Sequence, residues 1–169
     1  MESRPVTREN FESVVAHYSR TVFNIAFRIV DSYEDAMDIT QTTFMKAYER
    51  IDSYDPTHRV FSWLYRICTN EAINCVKRRK RWEPLDNDVP LEASPDDDVA
   101  RNETNQQLQR ALMTLTLDYR IVIILRHFHD LSYGEIAEIL DIPEKTVKSR
   151  LFTGRQLLRK SLIKQGYVA

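Results

Sequence analysis

Apolar residues recur along almost the whole chain at spacings of three and four, and nowhere do they alternate with polar ones over a strand's length. That spacing gathers side chains on one face of a helix, whereas a strand would need a period of two. Phe11, Val14, Val15, Tyr18, Val22, Ile25, Ala26 and Ile29 make the first such stripe, which predicts a helix from about Thr7 to Val30. The chain holds only 3 glycines and 6 prolines in 169 residues, so few positions interrupt the pattern. The predicted fold class is all-α, with two small helical domains joined by an acidic linker and a helix-turn-helix in the second.

Ser32-Tyr33-Glu34-Asp35 has the form of a capping box and opens a second helix, with Ala36, Ile39, Thr43, Ala47 and Ile51 on its core face. Asp38, Gln41, Thr42 and Met45 fall on another face of that helix. A turn follows from Asp52 to Arg59, marked by Asp55-Pro56. The third helix, from about Val60 to Arg81, carries two stripes. Phe61, Leu64, Tyr65, Cys68, Ala72, Cys75 and Val76 form the core stripe. Trp63, Arg66, Asn70, Asn74, Lys77, Arg78 and Arg81 form the other, nearly opposite at about 100° per residue. A face of one large aromatic, two amides and four cations, with no acid among them, is unlike an ordinary solvent face.

Charge divides the chain further. Between Glu83 and Asn105, eight acids stand against Arg101 alone, a net of −7. The rest of the chain, within an overall −1, therefore carries +6. Much of that excess lies in Lys77-Arg78-Arg79-Lys80-Arg81 and between Lys145 and Lys164. Such a split points to a polyanion held by separate basic surfaces. The acidic stretch, with Pro84 and Pro90, reads as a linker to about Ser94. Ser94-Pro95-Asp96-Asp97 is then an N-cap, a proline and first-turn acids opening the next helix. That helix becomes apolar at Leu108, Ala111, Leu112 and Leu115, and a fifth is expected from Leu117 to His129. Three spans result: 1–82, a first helical domain; 83–105, the linker and the start of a helix; 106–169, a second helical domain.

Ser132-Tyr133-Gly134-Glu135 is a second capping box, opening a short helix to Leu140. Asp141-Ile142-Pro143 breaks it, and a longer helix begins near Glu144. Ile136, Ala137, Leu140, Ile142, Val147 and Leu151 are placed to share one core between the two helices, the pattern of a helix-turn-helix. On the longer helix Val147, Leu151, Leu158 and Leu162 face inward. Lys145, Lys148, Ser149, Phe152, Arg155, Gln156 and Arg159 face outward. In a major groove, Lys148 and Ser149 would reach base edges and Phe152 a thymine methyl, with the outer cations on phosphates. The plainer reading is a helical hairpin with a basic solvent face.

Three segments together resemble the extracytoplasmic-function sigma factors. Residues 34–44, Glu-Asp-Ala-Met-Asp-Ile-Thr-Gln-Thr-Thr-Phe, look like the core-binding helix of sigma region 2. Phe61 to Asn70, with Asn74 and Lys77-Arg78-Arg79, looks like the promoter-melting and minus-ten helix. Arg120 to Leu125, Leu131 to Leu140 and Thr146 to Leu151 look like region 4. The resemblance covers nearly the whole chain in the family's order. It implies that span 1–82 is region 2, binding the polymerase clamp helices through Asp35, Asp38, Gln41, Thr42 and Met45. Arg59, Trp63, Arg66, Asn70, Asn74, Lys77, Arg78 and Arg81 would meet minus-ten DNA. Span 106–169 would be region 4, reading minus-thirty-five DNA through Lys145, Lys148, Ser149, Arg150, Phe152, Arg155 and Arg159 and binding the polymerase flap. The implied partners are core RNA polymerase, promoter DNA and an anti-sigma factor. Thr42 stands where the family favours an acid, Asn74 where Asp is frequent, Asp141 in place of a turn glycine, and Thr153 where a base or His is common.

The rival reading is a dimeric helix-turn-helix repressor or activator, against which the polar Trp63–Asn70–Asn74–Arg78 stripe argues, since a dimer seam would be apolar. An enzyme is the weaker alternative. His17, His58, His127 and His129 form no triad or metal pair, and the acids near Glu34 suit an exposed helix start. No catalytic residue, cofactor, metal or small-molecule substrate is expected. Cys68 and Cys75 read as buried thiols of a reducing compartment. The polar start of the chain lacks an apolar signal core, and the longest aliphatic run, Ile121 to Leu125, is too short to span a bilayer. A cytoplasmic protein without membrane insertion is expected.

Overall fold

The computed structural model describes residues 6–82 and 103–166, and every regular element among them is helical. The first lobe holds α1 (Phe11–Val30), α2 (Tyr33–Glu49), a single 3₁₀ turn (Ile51–Ser53) and α3 (Val60–Trp82). Helix α1 begins later than its periodicity suggests, because Asn10 folds back to accept the Thr7 N–H and residues 8–10 form a turn. It ends at Asp31, whose left-handed backbone (φ 54°) lets its N–H reach the Phe27 carbonyl. Ser32 then caps α2 by accepting the Asp35 N–H. The reciprocal half of the expected capping box is not made, since the Asp35 carboxylate pairs with Arg79 of α3. Val22, Ile25, Ile29, Ala36, Ala47, Leu64, Cys68 and Ala72 fill the space between the three helices. Both cysteines are buried thiols, and burial pushes that of Cys68 up to about 12.

The second lobe comprises α4 (Glu103–Met113), α5 (Leu117–His127), α6 (Tyr133–Leu140) and α7 (Glu144–Lys164). The predicted start of α4 at Ser94–Asp97 lies outside the described residues. Helix α5 carries Ile121-Val122-Ile123-Ile124-Leu125, all five within about 2% exposure. A helix that is apolar all round must be covered all round. Helices α1, α6 and α7 pack against it, and each fully buried aliphatic side chain contributes about 1.5–3 kcal/mol. The turn between α6 and α7 is built as the sequence suggests. Ser132 and Glu135 exchange the two capping-box bonds at 3.2 and 2.8 Å, and Asp141 supplies the left-handed turn at φ 53°. Ile136, Val147 and Leu151 are buried in the shared core, with Ala137, Leu140 and Ile142 at its edge. Ile139 also belongs there, fully buried. Gly154 sits where α7 crosses α5, and a Cβ there would come within 3.2 Å of Ile123 Cγ1.

The lobes pack on one another. Arg120, at the start of α5, is buried and donates from Nη1 to the Ile29 carbonyl at 2.7 Å and from Nε and Nη2 to Leu112, Met113 and Leu115. It thereby satisfies the last carbonyls of α4 and one at the end of α1 with a single guanidinium. Gln109 of α4 donates to Asp31 Oδ1 at 3.0 Å. Beyond α5, which ends at His127 rather than His129, the His129 ring lies 6.0 Å from that of Tyr65 in α3. The Arg28 guanidinium stacks 3.8 Å over Phe128. Among the described residues, no helix is long and apolar enough to cross a membrane.

Candidate nucleic-acid interface

The outward stripe of α3 forms because its inward stripe is committed: Leu64, Tyr65, Cys68, Ala72 and Cys75 are buried against α1 and α2. Asn70, Asn74, Lys77, Arg78 and Arg81 remain exposed. Trp63 begins this stripe but is half-buried, its ring 4.8 Å from that of Tyr54 in the preceding loop. The loop is held by its own polar groups. Tyr54 Oη donates to the His58 carbonyl at 2.5 Å, and Asp55 Oδ1 accepts the Thr57 N–H and hydroxyl at 2.9 and 2.7 Å. Those two hydrogen bonds, the backbone one first, draw the Asp55 carboxyl below its usual range. The folded loop, α3 and Glu138 of the other lobe enclose a recess of about 190 Å³, lined by Ser53, Tyr54, Asp55, His58, Ser62, Trp63, Arg66 and Glu138. An aromatic wall with hydroxyl, carboxylate and guanidinium groups around it suits one unstacked base.

The basic residues at the mouth of that recess are not solvated alone. Arg59 Nη1 lies 3.1 Å from Glu135, His58 Nδ1 2.8 Å from Glu138, and Arg66 Nη2 3.6 Å from Asp141. All three acids come from α6 and its C-cap. Arg59 also lies 5.7 Å over the Phe61 ring.

The outward residues of α7 divide into two groups. Lys145, Lys148, Ser149 and Phe152 lie at the exposed N-terminal half, with Phe152 65% exposed. Lys148 pairs with Glu144 at 2.9 Å, and that hydrogen bond and charge hold its pKa above the usual lysine value; its Nζ lies 5.8 Å from the Tyr133 ring. Ser149 donates to Thr146 O within the helix. Arg150 turns toward α5 and pairs with Asp118 at 2.8 Å. Arg155 and Arg159 lie on another side, along a groove of about 420 Å³ between α4, α5 and α7. Leu108, Ile123, Phe128, Leu158, Leu162 and Ile163 give this groove an apolar floor. Arg155 Nε donates to His127 Nε2 at 3.1 Å. Desolvation first, then Arg155 and Arg126, lowers the His127 pKa and keeps that nitrogen an acceptor. The sequence reading missed this groove. Its signal was there in Leu158 and Leu162, which carry the inward stripe of α7 beyond the helix-turn-helix core, with Ile163 after them.

On α2, Asp38, Gln41 and Met45 share an exposed face with Met37 and Tyr48, while Thr42 is half-buried. Asp35 lies apart from them, committed to Arg79.

Residues 14–82 match Sigma-70 region 2, and residues 105–158 match Sigma-70 region 4. The chain is 34% identical to the ECF RNA polymerase sigma factor SigW of Bacillus subtilis (strain 168), over 92% of its own length and 90% of that protein. It is 31% identical to the RNA polymerase sigma-H factor of Pseudomonas aeruginosa, over 90% and 86% of the two chains. The sigma factor RpoE from Bartonella quintana, solved in complex with the anti-sigma factor NepR, shares the fold with a TM-score of 0.76 at 24% identity, covering 91% of this chain and 97% of that one. The chain belongs to the extracytoplasmic-function RNA polymerase sigma factors.

Proposed function

We propose that this sigma factor brings core RNA polymerase to promoters and opens them by trapping a minus-ten base in the recess beside Trp63. The observation that carries this reading is the recess itself, continuous along α3 with exposed Asn70, Asn74, Lys77 and Arg78. Amides read base edges, cations follow the backbone, and a base must leave the stack to enter from that side. Lys145, Lys148, Ser149 and Phe152 form the minus-thirty-five surface on the opposite lobe. Asp38, Gln41 and Met45, with Met37 beside them and no cation among these four, fit a protein partner, the polymerase clamp helices. The apolar groove of α4, α5 and α7 takes the polymerase flap. The chain acts by binding alone, in the cytoplasm with the polymerase. An anti-sigma factor is the further partner, in keeping with the complex of its structural neighbour.

The test is in vitro transcription from a genomic library with added core polymerase. Asn70→Ala/Asn74→Ala should lower open-complex formation about tenfold or more, from two polar base contacts at about 1–3 kcal/mol each, with unchanged helicity. Asp38→Arg should lower affinity for core polymerase instead. Normal transcription by the Asn70/Asn74 variant would exclude this surface. Tight binding of a palindrome by a dimer without polymerase would favour a repressor.

A further inference from the structure

We infer that α6 is an internal substitute for promoter DNA: its acidic edge closes the base recess of the first lobe while leaving the minus-thirty-five surface of α7 open. Glu135, Glu138 and Asp141 stand three residues apart, so they follow one edge of the helix and its C-cap. Each meets a basic group at the mouth of the recess: Arg59 at 3.1 Å, His58 at 2.8 Å and Arg66 at 3.6 Å. Glu138 does more than pair, because its side chain lines the recess itself together with Tyr54, Trp63 and Arg66. A nucleotide entering beside Trp63 would bring its phosphate to the same three bases and its ring to the space that Glu138 borders. Carboxylates at this spacing offer Arg and His the acceptor chemistry that phosphates offer. The helix is held there by more than charge, since α3 and α6 pack closely and His129 reaches Tyr65 just behind them.

The placement is one-sided. Helix α7 lies behind α6 as seen from α3, and Lys145, Lys148, Ser149 and Phe152 stay exposed in the closed arrangement. Closure therefore blocks one promoter element and spares the other. It is also reversible in character. The paired side chains keep between 24% and 86% of their exposure, and pairs so exposed are weak and screened by salt. Separating the lobes by seating them on polymerase releases the recess, and no covalent change is required.

The inference rests on the base-recess reading, and one experiment separates the two. Fluorescence anisotropy with a random-sequence single-stranded DNA 12-mer is measured at several salt concentrations, with Trp63 emission followed in parallel in a Trp82→Phe background, because Trp82 is exposed on the same helix. The full chain is compared with the variant Glu135→Gln/Glu138→Gln/Asp141→Asn. Gln at 135 preserves the capping box. A charge-matched control, Glu9→Gln/Glu12→Gln/Glu49→Gln, removes three exposed acids elsewhere. The α6 variant should bind about tenfold tighter than the wild type, equivalent to ~1.4 kcal/mol, with quenching of Trp63 that the control does not show. Adding Trp63→Ala to the α6 variant should remove most of the gain. Equal affinity of the α6 variant and the control would overturn the closing role of α6 and leave the recess standing. DNA binding by none of the proteins, or binding that Trp63→Ala does not weaken, would overturn the recess and the inference together.

Discussion

The outward faces of α3 and α7 look alike in the sequence: each sets a cationic stripe with an aromatic against an apolar stripe. The folded protein treats them differently. The cations at the start of α3, Arg59 and Arg66, are answered by acids of the opposite lobe. Those of α7 are answered within their own lobe, Lys148 by Glu144 and Arg150 by Asp118. One face is thus regulated by where the lobes sit, and the other is not. A basic helix face is a statement about potential partners, and its availability is decided by the neighbours that the fold brings to it.

The largest expected effect comes from breaking the tie that sets the lobes against each other. Arg120→Met keeps the apolar stem but strips four hydrogen bonds from carbonyls of α1, α4 and the turn after α4. A loss of about 3 kcal/mol or more is expected, since bonds to a charged group are worth about 1.5–3 kcal/mol each and are not additive. Urea unfolding reads the change. If the lobe interface is what covers α3, small-angle scattering should also show a longer particle, while the α7 surface keeps its DNA affinity. A loss under about 1 kcal/mol would mean that Arg120 does not bind the lobes together.

Acid should act next most strongly, through the same interface. His129 is mostly buried, and its Nε2 has no hydrogen-bond partner among the described residues. Burial first, and Arg28 second, lowers its pKa from 6.5 to about 4. The neutral ring is the folded form, while the unfolded chain takes up a proton below about pH 6.5. The stability is therefore complete above that value and is lost progressively as the pH falls toward about 4. The loss is on the order of 3 kcal/mol at its full extent. Arg28 and Tyr65 face the ring, and neither changes charge in that window. His129→Gln should flatten the stability profile between pH 6.5 and 4.5 relative to the wild type, as measured by urea midpoints at each pH. An unchanged slope would assign the acid sensitivity to carboxylates instead.

The smallest effect sharpens the description of α7. Arg150 is engaged with Asp118, whereas Phe152 points into solvent. Arg150→Ala should cost under about 1 kcal/mol of stability, as expected for a partly exposed pair, and should barely alter affinity for minus-thirty-five DNA. Phe152→Ala should leave stability unchanged and lower that affinity severalfold. The reverse pattern in gel shifts would move Arg150 onto the DNA face.

Much of this was legible before folding was considered. The start of α6 at Ser132 and its stop at Asp141 followed from capping and turn chemistry, which acts within four residues, and the start of α7 from the break at Pro143. The core stripe of α3 followed from a period of 3.6. Where sequence signals failed, a distant partner had intervened. Ser32-Tyr33-Glu34-Asp35 has the form of a capping box, yet Arg79, a helix away, engages the Asp35 carboxylate and the reciprocal bond is not made. His129 reads as helical until α5 ends early and turns it toward the other lobe.

The sequence by itself therefore determined the helices and the two basic faces, since each rests on spacing along the chain, and it carried the family in the motifs that resemble it. Only the tertiary structure decided that Ile139 is core, that Leu158 and Leu162 line an open groove, and that Arg120 joins α1 to α4. It also decided that Glu135, Glu138 and Asp141 lie against His58, Arg59 and Arg66. Those contacts join residues more than 70 positions apart. Local periodicity records which face of a helix is apolar, but not which helix will come to cover the polar one.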